Sequence, residues 1–345
     1  MSSIAIAAAR QYRQNAAAGG DLPAGESGPQ RPAGGSPMHG SSIDAVLIHI
    51  DSTGQAALGV ILALIMFGVA LDLRIGDFAA VLRRPLAPLT GLAAQTLLLP
   101  ALSWVMTMVL QPAPSVALGM IIVASCPGGN LSNLITHLGR GNTALSVCMT
   151  GLSSVVAVVA TPLNILFWAG LNPATAVLLR QVDIQPGPFL AQTVLILGLP
   201  MALGLAIAHG LPRLALRLRR PFQLLSFAVL VLFIAATTAA NGKYLLAFLG
   251  QIMPLVVLHN AAALLLGWAA ARLMRMDTAD RRAVTIEVGM QNSGLGLALI
   301  LNQFDALGGA ALIAAGWGIW HIVSGWALAA WWRRRDRQQQ AGAAS

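Results

Sequence analysis

Beyond residue 54 the chain is a succession of long apolar stretches separated by short polar interruptions rich in Arg, Pro and Gly. A helix needs about 20 apolar residues to cross a hydrocarbon core of ~30 Å. Dividing the chain at its polar interruptions predicts nine such spans, near residues 54–72, 86–110, 115–138, 143–170, 187–209, 222–240, 244–271, 282–304 and 309–332. Residues 1–53 do not follow this pattern. Ala, Gly, Ser and Pro dominate them and no apolar run is long enough to span, which predicts a disordered N-terminal tail. Residues 2–9 are too short for a signal-peptide core with a basic flank, and Met38 offers an alternative start.

Polar strings break two of the spans. The third contains Cys126-Pro127-Gly128-Gly129-Asn130-Leu131-Ser132-Asn133, where Gly supplies backbone freedom and Pro removes a donor. The eighth contains Glu287-Val288-Gly289-Met290-Gln291-Asn292-Ser293-Gly294. Glu287 is the one acidic side chain in the middle of an apolar segment, and no basic residue inside a neighbouring span is placed to neutralise it. A carboxylate at that depth costs about 2.5–3.5 kcal/mol, which marks a functional site. The two breaks lie five spans apart, so five-helix units would carry them in opposite directions across the membrane. That is inverted-repeat geometry, in which discontinuous helices near the midplane offer dipoles and free backbone groups to substrate and coupling ions. The first unit then has four spans, one short of the second.

Composition fixes the broad class. Hydrophobic residues make up 57% of the chain and charged residues 10%, against about 25% charged in soluble domains. The chain reads as an all-α polytopic protein of the cell membrane. The net charge of +9 does not indicate a nucleic-acid partner, because the arginines form short clusters with no aromatic-basic platform among them. They act as topology signals. One set of loops holds Arg74, Arg83, Arg84, Arg140, Arg213, Arg217, Arg219, Arg220, Arg272, Arg275, Arg281, Arg282 and the tail Arg333, Arg334, Arg335 and Arg337; the opposite loops hold only Arg180 and Lys243. The arginine-rich side is therefore expected in the cytoplasm, with the N-terminus outside and residues 333–345 a cytoplasmic basic tail. Trp331 and Trp332, ahead of Arg333, read as an interface anchor. Cys126 and Cys148 lie inside apolar segments, so neither a disulfide framework nor a zinc motif is expected. His137, His209, His259 and His321 sit near span ends or beside Asn and Trp, which suits interfacial or helix-bridging roles.

The strings CPGGNLSNLITHLGRGNTALSVCMT (126–150) and TIEVGMQNSGLGLAL (285–299), with VVLHN (256–260), resemble the bile acid:sodium symporter family over nearly all of residues 55–332. The resemblance implies the nine-helix form of an inverted-repeat transporter, with two crossed discontinuous helices in a transporter domain at 54–332. Its panel domain would comprise the first, fifth and sixth spans, and its core domain the second to fourth and seventh to ninth.

The same resemblance implies two sodium sites. Sodium is a hard cation that takes oxygen ligands. Ser132, Asn133, Ser146, Thr150 and Glu287 match one site; Gln95, Glu287, Gln291 and the carbonyls of Val288 and Met290 match the second. Each hydroxyl has a plainer alternative, since Ser and Thr in membrane helices bond their own preceding turn or join helices together. Gly129, Asn130 and Asn292 lie at the starts of the half-helices beyond the breaks, where free N–H groups and the helix dipole favour an anion, and are expected to contact substrate. The family often has Thr where this chain has Asn130, which leaves the identity of the substrate open.

The expected function is sodium-coupled secondary active uptake of an organic anion by alternating access. Its cargo would be bile-acid-like or another small amphipathic carboxylate or sulfonate, and its coupling ions two sodium ions, with no other cofactor. A metalloid or oxyanion efflux carrier of related fold, using Cys126 as a soft ligand, is the nearest alternative; the long hydroxyl and amide motif argues against it. An intramembrane enzyme needs an acid, base or nucleophile pair; here the deep titratable groups reduce to Glu287, and Ser132 and Ser146 lack an evident His base.

Overall fold

A computed structural model describes residues 43, 52–73, 85–304 and 307–344. Most of the expected N-terminal tail, together with Arg74, Arg83 and Arg84, lies outside the described residues. The described chain is helical almost throughout: α1 (Ser52–Asp72), α2 (Leu86–Ala93), a π-helical turn (Ala94–Leu98), α3 (Leu99–Leu110), α4 (Pro114–Ser125), α5 (Leu131–Leu138), α6 (Thr143–Leu171), α7 (Pro173–Gln181), α8 (Pro186–Gly210), α9 (Pro212–Leu273), α10 (Thr278–Gly289), α11 (Ser293–Gln303) and α12 (Gly308–Ala344). Side-chain caps set several starts. Asn142 accepts from the N–H of Leu145, Asn172 from Ala174, Asp277 from Asp280 and Asn292 from Leu295.

Among the described residues, five helices are long and apolar enough to cross a membrane: Leu86–Leu110, Thr143–Leu171, Pro186–Gly210, Gly250–Leu273 and Gly308–Ala341. Large apolar side chains on them face outward, among them Val109, Phe167, Leu195, Leu265 and Ile319. An apolar outer surface of this extent suits lipid as the surrounding solvent. The protein is a multi-pass membrane protein.

The predicted break in the third span falls between α4 and α5, and that in the eighth between α10 and α11. Elsewhere the structure differs from the pattern. The second span carries a π-turn that its sequence, AQTLL, does not announce. A short extra helix, α7, follows Asn172-Pro173, a cap and first-turn proline that signal a helix start. The backbone runs on as one 62-residue helix, α9, across the turn expected near residues 241–243. The only helix-weak residue there is Gly242, which costs about 1 kcal/mol in a helix, and no proline enforces a stop. From 333 to 344 the expected tail is likewise a continuation of α12.

α4 is buried on every side from Ser115 to Ser125, as befits a helix enclosed by its neighbours. It packs against α12, α6, α3 and α11. α1 packs against α8 and α9, with Phe67 meeting Phe222 at 4.9 Å, and its inner face forms an apolar cluster with Leu197, Met201, Leu295 and Leu299. α10 is held between α9, α6, α2 and α5. Both breaks are thereby brought to the centre of the helical packing.

Candidate functional site

The two breaks meet. Gly128 and Gln291 form an isolated antiparallel bridge, the N–H of Gly129 donating to Met290 O (3.2 Å) and that of Asn292 to Pro127 O (2.8 Å). Side chains satisfy further backbone groups around the breaks. Thr161 donates to Ser125 O (2.7 Å), Asn260 to Gly289 O (2.7 Å), and Ser153 accepts from the N–H of Gly128 (3.2 Å). With no water in a hydrocarbon core, such partners are what allow irregular backbone at depth. The π-turn is supported in the same way: Asn164 donates to Thr96 O at 2.8 Å and accepts from the indole of Trp168 at 3.2 Å.

Glu287 is fully buried in the last turn of α10. Its Oε2 accepts from Ser132 (2.7 Å) and Ser146 (3.0 Å), and its Oε1 from Thr150 (2.7 Å). Ser132 comes from the first turn of α5, while Ser146 and Thr150 share one face of α6. Asn133 joins the cluster through its Oδ1, 3.3 Å from Thr150 Oγ1. The structure thus brings Ser132, Asn133, Ser146, Thr150 and Glu287 together.

The cluster holds more acceptors than protons. Thr150 Oγ1 lies within hydrogen-bond distance of Glu287 Oε1, Ser146 O (3.0 Å) and Asn133 Oδ1 (3.3 Å), yet carries a single proton. Ser132 Oγ likewise has one proton for Glu287 Oε2, Gly129 O (2.8 Å) and Thr150 Oγ1 (3.4 Å). Oxygens so crowded around a carboxylate suit a small hard cation, towards which each hydroxyl can turn a lone pair by rotation alone.

A second group surrounds the other side of α10. Gln95, projected inward by the π-turn and almost fully buried, donates to Glu287 O (3.1 Å) and Gln291 Oε1 (3.4 Å). π-turns recur at functional sites. Gln95 Oε1 is buried with no donor among the described residues, which leaves it open to a cation. Gln291 donates to Val288 O at 2.8 Å, and Met290 O accepts from Gly129, so both of these carbonyls already hold a protein donor. Gly128 lies at the junction of the two groups. A Cβ there would collide with Glu287 Oε1 and come within 3.2 Å of Gln95 Nε2.

Asn130 and Asn292 are the residues that precede α5 and α11, but their side chains behave differently. Asn292 caps its own helix through Leu295 N at 3.0 Å. Asn130 makes no cap; it donates to Asp72 Oδ2 at 3.2 Å, and Asp72 Oδ1 lies 3.2 Å from Arg219 Nε. Asp72, Asn164, Ser153, Thr161 and Asn260 did not stand out as partners in sequence. Of these, Asn260 closes the string VVLHN, and it also accepts from Ser324 at 2.6 Å. His259, next to it, bridges helices through Ser103 (2.6 Å) and Trp317, whose ring centroid is 4.6 Å away. Arg282, expected at a loop, is instead buried in α10 and held by Asp336 and Gly139 O.

The model of the Sodium Bile acid symporter family matches residues 59–248. An uncharacterized sodium-dependent transporter, YocS, of Bacillus subtilis is 34% identical over 83% of this chain and 86% of its own length. The probable sodium/metabolite cotransporter BASS1 of the Arabidopsis thaliana chloroplast is 29% identical over 81% of this chain and 67% of its own. The human sodium/bile acid cotransporter 4 is 28% identical over 72% of this chain and 56% of its own. With more than half of its length matched by the family model and with relatives of this similarity, the chain belongs to the sodium bile acid symporter family, a family of sodium-dependent transporters.

Proposed function

We propose that this protein imports a small organic anion by sodium-coupled alternating access, and that Glu287 is shared by two sodium sites. The observation that carries the reading is the excess of oxygen acceptors over protons around the buried Glu287 carboxylate. Ser132, Asn133, Ser146, Thr150 and Glu287 would hold one ion. Gln95, Glu287, Gln291 and the carbonyls of Val288 and Met290 would hold the other, each carbonyl through the lone pair that its protein donor leaves open. Two monovalent cations against one carboxylate leave a net positive charge, which attracts an anion. Gly129, Asn130 and Asn292 lie where such an anion would meet the starts of α5 and α11. The cargo is a bile-acid-like or other small amphipathic carboxylate or sulfonate.

Because α10 and α5 meet at the paired breaks, ions that bind Glu287 and Ser132 together would tie the two discontinuous helices into one body. That body, the core of the second to fourth and seventh to ninth spans, would move against a panel of the first, fifth and sixth. The packing of α1 against α8, and of Phe67 against Phe222 at the start of the sixth span, supports this panel. The full nine-span arrangement at 54–332 requires the chain to turn near residues 241–243. The arginine distribution supports an external N-terminus and a cytoplasmic C-terminus. Cys126 lies in an apolar cluster with its thiol donated to Ile122 O at 3.3 Å, which favours a packing role over that of a soft metalloid ligand. We assign no enzymatic activity to the chain.

Uptake into proteoliposomes, measured over a panel of labelled carboxylates and sulfonates with an inward sodium gradient and with potassium in its place, tests this function. At least one anion should accumulate only with sodium. Equal accumulation in potassium for every transported anion would refute coupling.

A further inference from the structure

At the arginine-rich end of α10, a groove of about 500 Å³ enclosed by α9, α10 and α12 shares no lining residue with the Glu287 cluster. Its lining changes character along its length. On α9 it runs from Ala261 and Leu265 to Trp268, with Arg272 stacked over the Trp268 ring at 5.7 Å. On α12 it runs from Leu328 to Trp331 and then Arg335, which stacks over Trp331 at 5.7 Å. Both walls thus pass in the same order through apolar, tryptophan and arginine positions, the order of a membrane interface. Leu265, Trp268 and Trp331 are exposed at 61%, 41% and 52%, so the groove opens outward.

The charge in the groove is lopsided. Arg281, Arg282 and Arg335 line it together with a single acid, Asp336. Asp336 is taken by Arg282, at 2.6 and 2.9 Å. Among the described residues, Arg281 has only the Thr278 hydroxyl at 3.4 Å, and neither Arg281 nor Arg335 pairs with a carboxylate. Two guanidinium groups with no carboxylate in salt-bridge contact, above an apolar, tryptophan-flanked trough, match an anionic phosphodiester joined to acyl chains.

We infer that this groove binds one anionic glycerophospholipid, its phosphate between Arg281 and Arg335 and an acyl chain along Leu265 and Leu328. The site is separate from the sodium and solute site and does not depend on the transport reading. A bound lipid would join α12 to α9 and α10, and so would make the packing of this end sensitive to the anionic lipid content of the membrane.

The test uses the full chain in nanodiscs of phosphatidylcholine containing a minor fraction of phosphatidylglycerol, with retained lipid counted by native mass spectrometry. The wild type should retain phosphatidylglycerol over phosphatidylcholine, and R281Q/R335Q should lower that preference at least tenfold. R213Q/R217Q, which removes the same charge elsewhere, should leave it intact. Equal retention by wild type and R281Q/R335Q, or equal loss in both double variants, would overturn the site. Should R281Q/R335Q not fold, hydrogen exchange of the wild type decides. Phosphatidylglycerol should protect residues 261–285 and 328–339 relative to pure phosphatidylcholine, and unchanged exchange there would refute the proposal.

Discussion

Gly128 and Gln291 pair antiparallel across the two helix breaks, and this brings the carboxylate of Glu287 against Gly128, where no side chain stands in its way. The consequence is direct. Gly128→Ala would place a methyl group on Glu287 Oε1 and crowd Gln95, so the carboxylate must move off Ser132, Ser146 and Thr150. Sodium activation of uptake in proteoliposomes should weaken at least tenfold. Gly129→Ala, whose Cβ would meet its nearest neighbour at 3.6 Å, should be far milder in the same assay.

Ser146→Ala and Thr150→Ala each remove one oxygen from a cluster of several, and the effect should be partial. The sodium concentration for half-maximal uptake should rise severalfold in each. The rise should be larger for Thr150→Ala, because Thr150 Oγ1 touches both Glu287 and Asn133 whereas Ser146 Oγ, among the described residues, bonds Glu287 alone. A sodium titration of uptake in both variants measures the order.

Asn260 connects the second break to α12 by donating to Gly289 O and accepting from Ser324. Asn260→Leu keeps the branched outline of the side chain but orphans a buried carbonyl, at a cost of about 1–3 kcal/mol. Its midpoint of thermal unfolding in detergent should fall, whereas Ser324→Ala, which removes a hydroxyl shared between Asn260 Oδ1 and the preceding-turn carbonyl of His321 but leaves Gly289 O its donor, should lower it less.

Much of this site was legible in the sequence, for reasons that the geometry makes clear. Pro127-Gly128-Gly129 and Gly289 are strong local signals of a broken helix, and a single carboxylate in apolar surroundings stands out because the energetic penalty is large. Ser132, Ser146, Thr150 and Gln95 were reached through resemblance rather than through physics. A hydroxyl in a membrane helix bonds its own preceding turn as readily as a distant partner, and Thr150 does both. Thr161, Ser153, Asn164 and Asn260 escaped notice for the same reason: which carbonyl or N–H each must satisfy is decided by tertiary packing. The π-turn at Ala94–Leu98 lacks Pro and Gly and depends on Asn164, 68 residues away from Thr96. Arg282 was mistaken for a loop charge because its partner Asp336 lies 54 residues on, in a segment read as a tail.

That last pair makes its own prediction. Asp336 clamps Arg282 with two hydrogen bonds at the junction of α10 and α12, and Arg282 also lies 5.3 Å from the Trp332 ring centroid. Asp336→Ala leaves a largely buried guanidinium with Gly139 O as its remaining acceptor. Removing the partner of a charged hydrogen bond costs about 1–3 kcal/mol, so the unfolding midpoint should drop. Arg140→Ala should change it little, because Arg140 reaches Asp336 only at 3.7 Å and is exposed.

The central claim is that Glu287 binds the coupling ions. Equilibrium binding of radioactive sodium to the purified protein, with potassium as the balancing cation, tests it without reference to any substrate. The wild type should bind sodium saturably, and Glu287→Gln, which keeps the shape but removes the charge, should lose that binding while remaining folded and monodisperse. A Glu287→Gln protein that binds sodium with the affinity and capacity of the wild type would contradict the account.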